Sequence, residues 1–431
     1  MLSGAGKREG NELAKNVLWL YVLQGMNYLI PMLLLPYLVR VLGVSQYGLV
    51  AFSQSIAQYF IIATDYGFNF SATRQIALHR HDPEEVSRIF YGVMAIKMGL
   101  VGIGAMIMGS AVVLIPRLRA DSGIYLAAYV AVIGSALFPV WLFQGMERMQ
   151  FISIITGISK LAAAASVVLL VHSRQDAFLA TLLQSFGWVF AGLVGMVFGI
   201  RKFSLRVLLP NRERVVSMLH DGRHLFVSTA AITLYTNTNV FLVGAIAGNT
   251  EAGYFSLADR FIRAVTGLVF PVIQATYPRV VRMIAESRGE AATFIRKLIG
   301  RVAVIAFAAG VAILVLAHPI ARVTFGRDAL AVVPIIRLAA LFPLVATLSA
   351  ILGMLVLIPF GFEKIQSQML VGAGVLNVLV ASLLIKMQGA IGGMMSMIAI
   401  ETLLIAGSAL LLMNKGVLKS SRGDENAVPN S

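Results

Sequence analysis

The chain has 431 residues, of which 58% are hydrophobic and 13% are charged, and its mean hydropathy is +0.84. Because a soluble domain carries about 25% charged residues, this composition excludes an ordinary soluble protein and indicates one that lies in a membrane. The sequence contains no cysteine, which excludes disulfide bonds and cysteine metal sites. The net charge of +15 is better explained by cationic loops on one side of a membrane than by nucleic-acid binding.

Apolar residues come in blocks of about 20, which is long enough for a helix to cross the hydrocarbon core. The segment before the first block is polar and leads into no short apolar region with a cleavage site, so we expect a retained helix rather than a signal peptide. Each block must be helical, since an open strand would leave backbone groups unpaired in lipid. Twelve spans are predicted, at residues 15–39, 48–66, 88–114, 122–143, 151–171, 177–200, 222–246, 253–276, 298–318, 329–358, 365–387 and 389–413.

The distribution of Lys and Arg predicts the orientation of these spans. With the N-terminus inside, the inside segments hold 22 basic residues and the outside segments hold 7, so both termini are expected to be cytoplasmic. The segment after the sixth span mixes basic and apolar residues, and it could lie on the anionic inner leaflet or be a solvated linker. The predicted organisation of this all-α integral membrane protein is a cytoplasmic N-terminus at 1–14, an N-terminal six-helix bundle at 15–200, a cytoplasmic linker at 201–221, a C-terminal six-helix bundle at 222–413 and a disordered cytoplasmic tail at 414–431.

An internal repeat divides the chain in the same way. A shift of 205 residues places the turn Leu42–Gly48 over Ala247–Gly253. The matched positions lie at the turn or at a span exit, and they are Gly43 with Gly248, Ser45 with Thr250, Gly48 with Gly253 and Arg74 with Arg279. Because six spans per half leave both halves in the same orientation, this parallel repeat predicts two bundles of like design.

Motifs of soluble enzymes are absent from the sequence, which contains no GxxxxGK[ST], HExxH or GxSxG. We therefore expect no enzymatic activity, no catalytic residue and no cofactor. His79 and His81 lie beside acidic residues in a predicted cytoplasmic loop, where a solvated loop is a better interpretation than a metal site.

Ionisable side chains inside spans are costly in lipid and therefore indicate functional positions. The deep cations outnumber the deep acid, Glu401; they are Lys97, Lys160, Arg260 and Arg337. A cavity lined in this way would attract anions, and arginine offers a bidentate fork to phosphate, so we expect an anionic, phosphate-bearing substrate. Asp259 and Arg263 are four residues apart with the acid first, which favours a structural ion pair on one helix.

Two acidic residues are candidates for ion coupling, since a carboxyl group in a low dielectric can bind and release a proton in each cycle. They are Asp65, which closes the second span, and Glu401, near the middle of the twelfth. The alternative for each is a fixed pair with a nearby base. Polar residues within spans, such as Gln54, could meet hydroxyl-rich groups, although interhelical hydrogen bonding also explains each of them. Trp188 falls in the middle of a span and does not fit an interfacial aromatic belt.

Five segments in order resemble the polysaccharide-transporter branch of the multidrug/oligosaccharidyl-lipid/polysaccharide exporter superfamily, and within it the Wzx-type O-antigen flippases. They are LLLPYLVRVLGVSQYG at 33–48, DYGFNFSATR at 65–74, PVWLFQGMERM at 139–149, GYFSLADR at 253–260 and PVIQATYPR at 271–279. The resemblance covers about Leu13 to Met413. It implies two six-helix bundles around a central cavity. It also implies ion-coupled alternating access, with H⁺ or Na⁺ as the coupling ion, that moves an undecaprenyl-pyrophosphate-linked oligosaccharide to the outer leaflet of the bacterial cytoplasmic (inner) membrane.

The partners that the resemblance implies are the lipid-linked oligosaccharide, membrane lipids, and the polysaccharide polymerase and chain-length machinery. Arg40, Asp65, Arg74 and Arg260 match the motif positions of the family. With the deep cations they give the predicted substrate-binding residues, which are Arg40, Arg74, Lys97, Lys160, Arg260 and Arg337. The predicted ion-coupling residues are Asp65 and Glu401.

Two alternative functions stay open from the sequence. The first is a related exporter of another cargo, either a drug/cation antiporter or a peptidoglycan lipid-precursor flippase. The second is an enzyme, a membrane glycosyltransferase, polymerase or ligase. A cation exporter should carry an excess of acids within its spans, and these enzymes need catalytic groups on sizeable outside loops. The sequence shows neither feature.

Overall fold

The computed structural model of the protein describes residues 25, 29–208, 210–267, 269–326 and 329–415. The predicted N-terminus at 1–14, most of the first span before Leu29, and residues 416–431 of the predicted tail lie outside the described residues. The described part is helical and contains no β-strand, which confirms the predicted all-α class.

Helices of the first half are separated by short turns at glycine and proline. In chain order they are α1 (Leu29–Leu42), α2 (Val44–Asp65), α3 (Phe68–Leu78), α4 (Pro83–Leu114), α5 (Pro116–Ala120), α6 (Ser122–Leu137), α7 (Val140–Gly145), α8 (Met149–Leu170) and α9 (Ala177–Lys202). Helix α4 begins where Asp82 accepts hydrogen bonds from the backbone of Glu84 and Glu85, with Pro83 in the first turn. Pro139 separates α6 from α7, because it cannot donate a helical hydrogen bond.

Helices of the second half are longer and more interrupted. They are α10 (Arg212–Ala247), α11 (Asn249–Gly267), α12 (Phe270–Glu286), α13 (Arg288–Phe325), α14 (Ala329–Ala339), α15 (Phe342–Ile351), which continues as a π-helical segment at Leu352–Leu357, and α16 (Glu363–Asn414). Gln388 and Gly389 have non-helical backbone angles inside α16. The break falls between the last two predicted spans, so α16 consists of two helices in series.

Seven helical segments are long and apolar enough to cross a membrane among the described residues. They are Pro83–Leu114, Ser122–Gly145, Met149–Leu170, Arg174–Lys202, Arg288–Phe325, Leu330–Leu357 and Glu363–Asn414. Leu29–Leu42 and Asn237–Ala247 are shorter apolar helices. The protein is therefore a multi-span membrane protein, and the number of twelve spans stays a prediction.

Helix α10 begins at Arg212, inside the segment predicted to be a linker. Asn211 caps it by accepting a hydrogen bond from the backbone of Arg214 at 2.9 Å. The first turns of α10 pack on the first half, where Arg214 forms an ion pair with Glu85. A capped start and this contact explain why the last part of the predicted linker is helical.

The two repeated turns have the same backbone conformation. Gly43 has φ 78° and ψ 162°, and Gly248 has φ 94° and ψ 178°. Residues with a side chain rarely adopt this positive φ, so glycine is required at both positions. Helices α2 and α11 follow the two turns and therefore leave them in equivalent ways.

Helices α2 and α11 pack directly against each other where the two halves meet. A Cβ atom added to Gly48 would lie 1.7 Å from the backbone oxygen of Asn249, and one added to Gly253 would lie 2.5 Å from that of Val44. These two glycines are the repeat-related pair. The close approach continues into one apolar core that contains residues of both halves.

Arg117 of α5 adds a polar contact between the halves at this same end. Its guanidinium donates hydrogen bonds to the backbone oxygens of Gly244 at 2.6 Å and Ala245 at 2.9 Å, and to Asn249 Oδ1 at 3.1 Å. The last carbonyl groups of a helix lack helical partners and carry partial negative charge. A cation from the first half therefore caps the end of α10, and this end of the interface is closed.

Candidate functional site

A cavity of about 500 Å³ lies between the two halves. The first half contributes side chains from α1, α2, α6, α8 and α9, and the second half contributes side chains from α11. Its polar and aromatic lining residues are Gln54, Gln58, Lys160, Gln184, Ser185, Trp188, Arg260 and Arg263. Among the described residues, three cations and three amides line the cavity and no acidic residue does. The cavity therefore suits an anion that also carries hydrogen-bonding groups.

Arg260 reaches from the second half into a chain of amides of the first. Its Nη2 donates to Gln54 Oε1 at 3.2 Å, and Gln54 Nε2 donates to Gln184 Oε1 at 3.2 Å. The guanidinium carbon lies 5.7 Å from the centre of the Tyr47 ring. These partners are neutral, and no carboxylate pairs with Arg260 among the described residues. The amide chain therefore orients the guanidinium while leaving its full charge available to the cavity.

Lys160 of α8 is the second predicted residue that the structure places in the cavity. Its ammonium nitrogen lies 5.9 Å from the centre of the Trp188 ring, within the range of a cation–π contact. Lys160 and Arg260 come from different halves and line the same space. The two halves therefore each supply a cation to this cavity.

Arg263 lies one turn beyond Arg260 and also lines the cavity. Its Nε donates to both carboxylate oxygens of Asp259, at 2.9 and 2.7 Å, which is the ion pair expected from their spacing. Sequence reasoning gave Arg263 only this structural role. A usable signal was present, because the offset of 205 residues maps Gln58, another lining residue, onto Arg263.

Lys97 and Asp65 lie together outside this cavity. Lys97 Nζ contacts Asp65 Oδ1 at 2.7 Å, with 1% of the lysine side chain and 24% of the aspartate side chain exposed. Asn69 also donates to Asp65 at 3.3 Å. Among the described residues the ion pair of Asp65 is with Lys97. The two charges satisfy each other, which is the fixed pair with a nearby base that the sequence left open for Asp65. The substrate-binding role of Lys97 and the ion-coupling role of Asp65 stay predictions.

Three predicted substrate-binding arginines lie away from the cavity. Arg40 on α1, Arg74 on α3 and Arg337 on α14 are exposed, and none of them is among the residues that line it. Arg337 was predicted from its depth within a span, whereas Arg40 and Arg74 were predicted from their match to the motif positions of the family. Neither criterion shows which face of a helix a residue occupies, so their predicted roles stay predictions.

Glu401 lies in a second, smaller cavity of about 210 Å³ within the second half. Asn377 and Asn239 are joined there by a hydrogen bond of 3.0 Å. Asn377 Oδ1 and Thr347 Oγ1 are buried and have no hydrogen-bond partner among the described residues. Arg263 lines both this cavity and the central one. The part of the chain that the structure describes holds no group of three or more His, Cys, Asp or Glu side chains suited to a metal ion.

Comparison with known proteins identifies the protein family to which this chain is similar. The family described as "Polysaccharide biosynthesis protein" matches residues 13–284. A protein of Escherichia coli (strain K12) named "Putative O-antigen transporter" is 30% identical over 406 residues, covering 94% of this chain and 98% of that protein. A protein of Shigella dysenteriae with the same name is 28% identical and covers 91% and 98%.

Solved structures of transporters share the fold. An inward-facing multidrug resistance MATE family transporter of the MOP superfamily superposes with a TM-score of 0.69 at 14% identity, covering 93% of this chain and 96% of that one. The lipid II flippase MurJ in an inward closed conformation gives 0.68 at 13% identity, covering 93% and 89%. The chain therefore belongs to the polysaccharide biosynthesis protein family and has the fold of MOP-superfamily transporters.

Proposed function

We propose that this protein is a flippase for an undecaprenyl-pyrophosphate-linked oligosaccharide, an O-antigen or similar polysaccharide repeat unit. It moves this lipid from the cytoplasmic to the periplasmic leaflet of the bacterial inner membrane by ion-coupled alternating access. The observation that carries the proposal is the cavity between the halves, with Arg260 and Lys160 in its lining. The names of the curated relatives, which cover nearly all of the chain, support a polysaccharide cargo and a transport function.

The charge of the diphosphate is the main barrier to movement across the bilayer. An unpaired anion in a low-dielectric medium is too costly to bury, so a path across the membrane needs cations along it. Arg260 can bind phosphate oxygens in a bidentate manner while its other contacts stay with neutral groups. Lys160 adds a second charge from the opposite half, and the lipid tail can remain in the bilayer.

The packing of the halves suits alternating access. At the Gly48–Gly253 end the halves touch through backbone atoms and through Arg117, whereas the cavity separates them deeper in the protein. In the predicted orientation this closed end faces the periplasm. Separation of α2 from α11 would open the cavity to that side, and the repeat makes a symmetric rocking motion of the two bundles feasible.

Ion coupling is assigned to the second cavity. Glu401, two asparagines and two threonines line it, and oxygen atoms of these residue types suit either a proton or Na⁺. Arg263 is shared by both cavities, so an ion bound near Glu401 can change the electrostatic environment of the substrate site. This arrangement gives the coupling a direct physical route.

Substitution of Arg260 tests the proposal. Arg260→Ala should abolish export of the glycan at a normal level of protein, and Arg260→Lys should restore only part, since lysine keeps the charge but loses the bidentate fork. Arg301→Ala is the matched control, because Arg301 is an exposed arginine of the same half that lies outside the cavity. Full export by Arg260→Ala, or by Arg40→Ala/Arg260→Ala, would contradict a cationic path.

Labelling of single cysteines tests the orientation, since the parent sequence has no cysteine. Ser122 begins α6 near the closed end, and Ser217 lies on the exposed first part of α10. An impermeant thiol reagent added to intact cells with a permeable outer membrane should label Ser122→Cys and spare Ser217→Cys. The reverse pattern would contradict cytoplasmic termini and the proposed direction of transport.

A further inference from the structure

Trp188 occupies an unusual place for a membrane tryptophan. It lies in the interior of α9, away from the helix ends where aromatic side chains anchor at the membrane interface. The residue is 39% exposed and lines the cavity between the halves. The position is therefore explained neither by interfacial anchoring nor by complete burial in a core.

The backbone around Trp188 is held closely by two neighbouring helices. A Cβ added to Gly134 of α6 would lie 2.4 Å from the backbone carbon of Trp188. A Cβ added to Gly187 would lie 2.8 Å from the Cβ of Ala163 on α8. Because both approaches depend on the absence of a side chain, three helices fix the point from which the indole projects. A rigid aromatic surface of this kind loses little conformational entropy when a ligand binds.

Groups beside the indole suit the hydroxyl groups of a sugar. Gln184 lies one turn earlier on α9, and its amide accepts the hydrogen bond from Gln54. Each amide can both donate and accept, as a hydroxyl group requires. An aromatic face covers the apolar C–H face of a pyranose ring, while the amides bind its edge; this division between apolar contact and polar orientation is typical of ligand cavities.

We propose that Trp188 and the Gln54–Gln184 amide pair form a hexose subsite of the cavity, which binds the sugar attached directly to the diphosphate. The assignment to that sugar follows from Lys160, whose ammonium lies 5.9 Å from the indole centre. A phosphate bound at Lys160 places the adjoining sugar over or beside the indole, whereas more distant sugars would lie outside this part of the cavity. The subsite rests on the proposed function, since it requires a glycan-bearing lipid in the cavity.

Binding of two short lipids to the purified protein in nanodiscs tests the subsite. The probes are farnesyl diphosphate and farnesyl-diphospho-N-acetylglucosamine, which differ only in the sugar. Trp188→Leu should weaken binding of the sugar-bearing probe about tenfold and leave farnesyl diphosphate within about twofold of the parent. Trp188→Phe keeps a smaller aromatic face and should lose about threefold for the sugar-bearing probe alone, which provides a second variant if the leucine variant fails to fold.

Each other outcome has a distinct meaning. An equal loss for both probes would overturn the subsite, because it would show that Trp188 only positions Lys160. Unchanged binding of both probes would also overturn it. Failure of the parent protein to bind either probe would contradict the proposed function itself. Arg260→Ala is the reference variant, and it should weaken both probes because it removes a diphosphate contact.

Discussion

Substitution of Gly48 by alanine should open the closed end of the interface. The added methyl group would lie 1.7 Å from the backbone oxygen of Asn249, and this oxygen belongs to a helix terminus rather than to a flexible side chain. Ordinary contact of a Cβ begins near 3.4 Å, so α2 and α11 must separate locally by more than an ångström. Overpacking of this kind costs about 1–3 kcal/mol, which corresponds to a decrease of about 5- to 150-fold in the preference for the closed state.

Spin labels measure this change directly. Cysteines at Ala120 and Thr250, which are exposed in opposite halves near the closed end, accept nitroxides in a parent that has no other cysteine. The distribution of distances between the two nitroxides, measured by pulsed electron paramagnetic resonance, should gain a longer component in Gly48→Ala. Gly99→Ala is the matched control, because a Cβ at Gly99 of α4 meets no atom within 4 Å, and it should leave the distribution unchanged.

An identical distance distribution in Gly48→Ala, at the parent yield of folded protein, would refute the close-packing argument. If Gly48→Ala does not accumulate, Gly253→Ala provides a milder form of the same perturbation, since its Cβ would lie 2.5 Å from the backbone oxygen of Val44. The two glycines are related by the repeat, so both substitutions should lengthen the distance. A shorter distance between the nitroxides in Gly253→Ala would contradict an interface shared by the two glycines.

The remaining predictions concern charged residues. Arg117→Ala removes three hydrogen bonds across the closed end. Because Arg117 is exposed, we expect the closed state to lose only about 1 kcal/mol of stability. The distance between the same two nitroxides should therefore increase less than in Gly48→Ala. Asp65→Ala leaves the fully buried Lys97 unpaired, which should cost about 3–5 kcal/mol of stability. The yield of folded protein, measured by size-exclusion chromatography, should therefore fall strongly. The double variant Asp65→Asn/Lys97→Met should recover most of that yield. Glu401→Gln should weaken transport driven by a pH gradient in proteoliposomes without loss of folding, and unchanged transport would remove Glu401 from the mechanism.

The fold class followed from the sequence because its signals are local in the chain. Long apolar blocks predict membrane helices wherever they occur, and the seven apolar segments confirm the class. The repeat was found from single residues at a fixed offset, and Gly43 and Gly248 do share a backbone conformation. The ion pair of Asp259 and Arg263 could be predicted in the same way, since helical geometry alone brings residues four apart together.

The candidate site depended on contacts between distant parts of the chain. Arg260 meets Gln54 across 206 residues, and Lys97 meets Asp65 across 32. Depth within a span suggested that Lys97, Lys160 and Arg260 would act alike. Helix packing instead gives them different surroundings, because it places Lys97 in a buried ion pair and the other two in the cavity lining.

Hydropathy, charge bias and the repeat thus determined that this protein is a two-part helical membrane protein and that cations lie within its spans. Only the tertiary structure decided which cations face the cavity, that Arg263 joins two cavities, and that Trp188 lies beside Lys160. The physical reason is that the sequence fixes how far a residue lies along a helix. The direction in which its side chain points, and the residues that the side chain contacts, depend on the rotation and packing of whole helices against one another.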